Sequence, residues 1–285
     1  MTLRRRDAGG VRVAGPAVTL RPVEAGGERL VVARPSPARR RSPLVLLLPG
    51  LFQEPGALYG AMYRLASGGA VAATFERTHP LGAAGPEDLA GRLEAWLEEG
   101  LRRARQVVDA LAGVPGVDSG RIGLMGVSAG GWVALRLAES LGEQATAHER
   151  SVAVAAVLSG PGWRRIPPAV ADVLAEAGVR CPPDALGRPV DPARAPLLHP
   201  GQLDQRAERL RHCAVLLVGG GRDPVVDPEE VRAFYRAMAA RRPEAAERLQ
   251  LVLYPGLGHR LTPPMEARVL SWLLWMLQAG ALRDG

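Results

Sequence analysis

Ser128, Asp223 and His259 are the residues whose types and settings could do chemistry together. A serine hydroxyl attacks a carbonyl only when a neighbouring base takes its proton, and an imidazole works best when a carboxylate holds its tautomer. Ser128 is the centre of Gly126-Val127-Ser128-Ala129-Gly130, which follows the apolar run Arg121 to Met125 and opens a helix-like stretch from Trp132 to Leu141. Strand, Gly-x-Ser-x-Gly and helix, in that order, describe a nucleophile elbow. Its turn is so tight that side chains two positions either side of the serine would collide, and glycine removes them. The helix N-terminus behind the serine favours developing negative charge. With nine serines and 34 glycines in the chain, the bare pattern arises by chance in roughly one such sequence in ten. The partners therefore carry the inference.

Ala214 to Val218 reads as a buried strand that runs into Gly219-Gly220-Gly221-Arg222-Asp223-Pro224-Val225-Val226. Leu249 to Tyr254 reads as another, running into Pro255-Gly256-Leu257-Gly258-His259. Each of the three residues thus sits on a loop just past the C-terminal end of a strand. The order serine, acid, histidine is that of one particular sheet-based hydrolase architecture.

These residues carry a resemblance. The stretch Gly116 to Gly131 is similar to the "VDPxRIGxxGxSxGG" run of the dienelactone hydrolase and prolyl-oligopeptidase-like esterase branch of the α/β-hydrolases. Gly221 to Val226 resembles that branch's "GxxDxxV" acid loop. The likeness runs from about Leu44 to the C-terminus and is weakest at about 160–210. It implies an α/β fold of three layers, with a mostly parallel central sheet, antiparallel N-terminal edge strands, helices on both faces and a cap insertion. It also implies one domain over 1–285, with the cap at 160–211.

For this branch the implied activity is carboxylic ester hydrolysis through an acyl-enzyme on Ser128, with His259 as base and Asp223 as its orienting acid. Acyl-peptidase or thioesterase chemistry with the same triad is the alternative, and a non-catalytic binding protein on the same scaffold is the rival from another class. No metal or organic cofactor is needed. An oxyanion hole requires two donors. The N–H following the nucleophile, Ala129, is one, and by carry-over the Leu51 N–H in Pro49-Gly50-Leu51-Phe52 is the other. Pro49 stands where the family has a histidine that braces this loop. Phe52, Glu76, His79 and Trp163 are the candidate substrate contacts, and a surface position is the plainer alternative for Glu76 and His79.

The hydrophobic content of 47% supplies a sizeable core. No apolar run reaches the eighteen or so residues of a membrane span, and the Arg4-Arg5-Arg6 start lacks a following apolar region, so a cytoplasmic location is expected. The net charge of +7 suggests nucleic acid, but every one of the 36 basic residues is arginine, and Asn is absent as well as Lys. That pattern reads as G+C-rich coding bias, and the dense cluster Arg39-Arg40-Arg41 lies in a Pro-flanked linker with no interleaved aromatics. A small-molecule ester or acyl substrate is therefore expected rather than nucleic acid. Cys181 and Cys213 do not make a metal site, and a bond between them is not expected.

Short strands are expected at Val11–Val13, Val18–Pro22 and Leu30–Ala33, then at Leu44–Leu48, Ala70–Phe75 and Val152–Leu158. Apolar residues at Leu89, Leu93, Trp96, Leu97, Leu101, Ala104, Val107, Val108 and Leu111 mark one face of a helix over Glu87–Leu111. Helices are also expected at Pro55–Ala66, Pro228–Ala240 and Pro264–Gln278, with Asp227 as an N-cap. Within the proline-rich insertion only Ala169–Ala177 reads as helix. Trp272 and Trp275 share the last helix, as core or as a homodimer face.

Overall fold

A computed structural model of the chain describes residues 17–36, 41–75, 89–148, 151–176, 179, 181, 183–242 and 247–278. The expected strand Val11–Val13 and the candidates Glu76 and His79 lie outside them. Eight strands form one sheet: β1 (Ala17–Ala25), β2 (Glu28–Ser36), β3 (Ser42–Leu48), β4 (Val71–Phe75), β5 (Val117–Val127), β6 (Ser151–Val157), β7 (Ala214–Gly220) and β8 (Leu249–Tyr254). Their spatial order is β1-β2-β4-β3-β5-β6-β7-β8. β2 runs antiparallel to both β1 and β4, and every other pairing is parallel.

The helices are α1 (Tyr59–Ser67), α2 (Leu89–Ala112), α3 (Ala129–His148), α4 (Val170–Glu176), α5 (Leu203–Arg209), α6 (Pro228–Ala239) and α7 (Pro263–Gln278). A single 3₁₀ turn, Pro55–Leu58, precedes α1, because Pro55 at the first position presets helical φ but donates no N–H.

Every residue of β3, β6 and β7 is buried, as strands covered on both faces must be. Alternation divides them between two cores. Leu44, Leu46 and Leu48 face the core beneath α2, α3 and α6, while Val45 and Leu47 face the core beneath α1 and α7. The apolar stripe of α2 is buried at Leu89, Leu93, Trp96, Leu97, Ala104, Val107, Val108 and Leu111, as its spacing requires. Trp272 is buried in the α7 core and Trp275 is exposed. Among the described residues no helix is long and apolar enough to cross a membrane.

The segment between β6 and β7 is more ordered than its sequence suggests. Besides α4 it contains a 3₁₀ turn at Pro183–Ala185 and the helix α5, which charged residues disguise. Three ionic groups, Glu94 and Arg206 buried and Arg136 part-buried, fasten it to the body. The Glu94 carboxylate on α2 accepts the Leu197 and Leu198 N–H groups, both at 2.7 Å. Arg136 on α3 donates to the Pro196, Leu197 and His199 carbonyls. Arg206 on α5 pairs with Glu139 on α3 at 2.6 Å, each side chain only 4% exposed.

Candidate active site

The three loops meet at the C-terminal edge of the sheet because β5, β7 and β8 are parallel and end together. Ser128 stands between β5 and α3 at φ +51°, in the left-handed region that a serine avoids. The turn survives because the surroundings leave no alternative. The Ser128 N–H donates to the Val157 carbonyl at 2.8 Å, and the Ser128 carbonyl accepts from Gly131 at 2.8 Å. A Cβ at Gly126 would lie 2.2 Å from the Gly130 carbonyl oxygen, and one at Gly130 would lie 2.2 Å from the Leu48 carbonyl oxygen. Both glycines are thus demanded by contact.

The acid and histidine loops are joined to each other. Gly221 N–H donates to the Tyr254 carbonyl at 2.8 Å and Arg222 N–H to the Leu257 carbonyl at 2.9 Å. Asp223 is buried, and its Oδ1 accepts the Val225 and Val226 N–H groups, each at 2.9 Å. Its Oδ2 is 2.8 Å from His259 Nδ1. A carboxylate offers only lone pairs, so Nδ1 carries the hydrogen and donates it. Nε2 is then the acceptor, and it lies 2.9 Å from Ser128 Oγ. Residues 131 positions apart in the chain have been brought to hydrogen-bond distance.

The loop after β3 stands beside this relay. A Cβ on Gly50 would lie 3.3 Å from the Val127 carbonyl oxygen and 3.5 Å from Ser128 Cβ. Among the described residues the Leu51 N–H has no protein acceptor. Ala129 opens α3, where the first N–H groups have no intrahelical partner. Phe52 is half-buried at φ +62°.

Trp163 is buried, its ring edge-on to Trp132 with centroids 4.7 Å apart, and its indole N–H donates to the Val225 carbonyl at 2.8 Å. A cleft of about 680 Å³ lies between the insertion and the acid loop, lined by Arg164, Arg165 and Pro189 on one side and Val225, Asp227 and Glu230 on the other. Asp227 caps α6, accepting the Glu229 N–H at 2.9 Å, and is not an alternative partner for the histidine. Among the described residues no group of three or more His, Cys, Asp or Glu could hold a metal ion. Cys213 is buried, which pushes its thiol up to about 12.

Three solved structures share this arrangement of elements. TT1662 from Thermus thermophilus superposes with a TM-score of 0.65 at 21% identity, over 92% of this chain and 99% of its own. The esterase PF2001 of Pyrococcus furiosus gives 0.60 at 17% identity, over 96% and 97%. Acetyl xylan esterase 1 from Thermoanaerobacterium sp. gives 0.59 at 15% identity, over 92% and 88%. The chain has the α/β-hydrolase fold. No family model and no curated protein matches its sequence. At these identities the likeness is one of fold.

Two features of this site escape sequence reasoning. One is Gln53, whose side-chain oxygen accepts the Gly50 N–H at 2.9 Å. The only local signal is its place three residues after the glycine. The other is the set Glu94, Arg136, Glu139 and Arg206, which looks like ordinary surface charge until the insertion folds over it.

Proposed function

We propose that the chain is a serine hydrolase of carboxylic esters that works through an acyl-enzyme on Ser128. The observation that carries the reading is the continuous relay Ser128 Oγ, His259 Nε2, His259 Nδ1 and Asp223 Oδ2, with links of 2.9 and 2.8 Å. His259 accepts the serine proton as Oγ adds to the ester carbonyl carbon. Asp223 holds the tautomer and offsets the charge of the imidazolium. The tetrahedral oxyanion rests on the Leu51 and Ala129 N–H groups, each worth about 2.7–4 kcal/mol in such sites. His259 then hands its proton to the departing alkoxide. Water, deprotonated by the same imidazole, attacks the acyl-enzyme and releases the acid.

Two of the structural relatives are named as esterases, which favours oxygen esters as the leaving class. The segment 160–211 acts as a fixed cap in this reading, because Glu94, Arg136 and Arg206 hold it to α2 and α3. The test is hydrolysis of short p-nitrophenyl esters together with fluorophosphonate labelling. The wild-type protein does both, and Ser128→Ala and His259→Ala do neither at a measurable rate. A Ser128→Ala protein as fast as wild type refutes the reading.

A further inference from the structure

The loop after β3, Pro49 to Gln53, is braced from within. Gly50 to Gln53 form a four-residue turn tied at both ends by Gln53. The Gln53 N–H donates to the Gly50 carbonyl at 3.2 Å, and the Gly50 N–H donates to Gln53 Oε1 at 2.9 Å. Pro49 has no N–H to give and no polar side chain, so it cannot do this work.

Between the two tied residues lie only Leu51 and Phe52. Phe52 is held at φ +62°, a left-handed conformation that a bulky residue leaves when it is free to relax. Gly50 rests against the elbow, where even a Cβ would come within 3.3 Å of the Val127 carbonyl oxygen. Contact at Gly50 therefore sets how near the loop stands to Ser128, and the double tie sets which way the intervening peptide planes face.

We propose that Gln53 is the positioning residue that aims the Leu51 N–H at the oxyanion, through its amide oxygen on the Gly50 N–H. The assignment rests on the ester-hydrolase reading above, in which Leu51 N–H is a donor. The Gln53 side-chain oxygen is engaged by the Gly50 N–H, so in this assignment it acts through the loop and not on the reacting atoms. Its effect must therefore appear in the transition state and not in ground-state binding.

The experiment compares Gln53→Leu, which keeps bulk but no acceptor, Gln53→Ala, and Gln53→Glu, which keeps an acceptor oxygen at the same reach. Gln53→Leu and Gln53→Ala lower kcat for a p-nitrophenyl ester by about 10- to 100-fold, less than deleting a donor outright, with KM changed by less than about threefold. Inhibition by a trifluoromethyl ketone, whose adduct oxygen occupies the oxyanion position, weakens by the same factor. Gln53→Glu stays within about fivefold of wild type because the acceptor is retained. If Gln53→Ala does not fold, the leucine and glutamate variants decide the matter. The assignment is overturned if Gln53→Leu matches wild type, or if Gln53→Glu falls as far as Gln53→Leu. Absence of fluorophosphonate labelling at Ser128 in the wild-type protein overturns the ester-hydrolase reading, and this assignment with it. Labelling and turnover unchanged in Gln53→Leu overturn this assignment alone.

Discussion

Trp163 in the insertion donates its indole N–H to the carbonyl of Val225, two residues past the acid that faces His259. The bond is buried, and the same ring leans edge-on against Trp132 at the start of the elbow helix. One side chain thus ties the insertion to the acid loop and to the elbow helix. Trp163 also lines the cleft beside the acid loop, with its indole N–H and most of its ring engaged by the protein.

Trp163→Phe should therefore lower stability by about 1–2 kcal/mol, the effect of leaving a buried carbonyl without its donor and weakening the ring pair. Its kcat should fall by one common factor across esters of different acyl length. An altered chain-length preference would instead make Trp163 a wall of the substrate pocket.

The elbow glycines can be tested against a control on the histidine loop. Gly126→Ala and Gly130→Ala each put a Cβ 2.2 Å from a backbone oxygen, whereas a Cβ at Gly256 meets nothing within 4 Å. The first two should cost more than about 3 kcal/mol or abolish activity, and Gly256→Ala should stay within about 0.5 kcal/mol. Urea unfolding of the three variants checks the ranking.

Glu139 separates a part-buried arginine, Arg136, from a buried one, Arg206. Arg136 is 3.3 Å from it and Arg206 is 2.6 Å from it. Burial, followed by repulsion from Arg206, lowers the Arg136 guanidinium to about 10. Glu139→Ala leaves the two cations facing each other, so it should destabilise the fold by about 3–5 kcal/mol. Chemical unfolding measures this, and a loss under about 1 kcal/mol would show that the insertion is fastened by other means.

Asp118 gives a pH-dependent prediction far from the chemistry, at the opposite end of β5 from Ser128. Burial alone would raise its carboxyl, but the 2.8 Å bond from Arg121 and the 3.0 Å bond from the Gly120 N–H outweigh it and hold it below its ordinary value. A carboxyl that titrates lower in the folded state contributes stability above its ordinary value of 3.8. It loses that contribution as pH falls through the lowered one. Asp118→Asn should therefore be less stable than wild type at pH 7, with the gap narrowing as pH falls below 3.8, while kcat at pH 7 is unchanged. A gap that persists undiminished at low pH contradicts this.

The local signals read well where one element alone decides the outcome. The α2 stripe, the buried β3 run, the elbow and the Asp227 cap all lie within a few residues of their cause. The insertion read poorly, since α5 is rich in charge and its buried Arg206 finds its partners, Glu139 and the Phe234 ring, on other helices. Gln53 was missed for a related reason: a glutamine three residues after a glycine means nothing until the turn closes.

What the amino-acid order determined by itself is the repertoire: which strands are buried, which loops follow their C-terminal ends, and which side chains stand on those loops. Apolar period and the needs of glycine, proline and capping residues are short-range properties, so they survive in one dimension. Only the tertiary structure decided that Ser128 Oγ and His259 Nε2 lie 2.9 Å apart, that Glu94 holds Leu197 and Leu198, and that Trp163 is bonded to Val225. Those distances depend on parallel register across β5, β6, β7 and β8 and on helices closing over both faces. They sum over the packing of the whole sheet, and no local spacing encodes them.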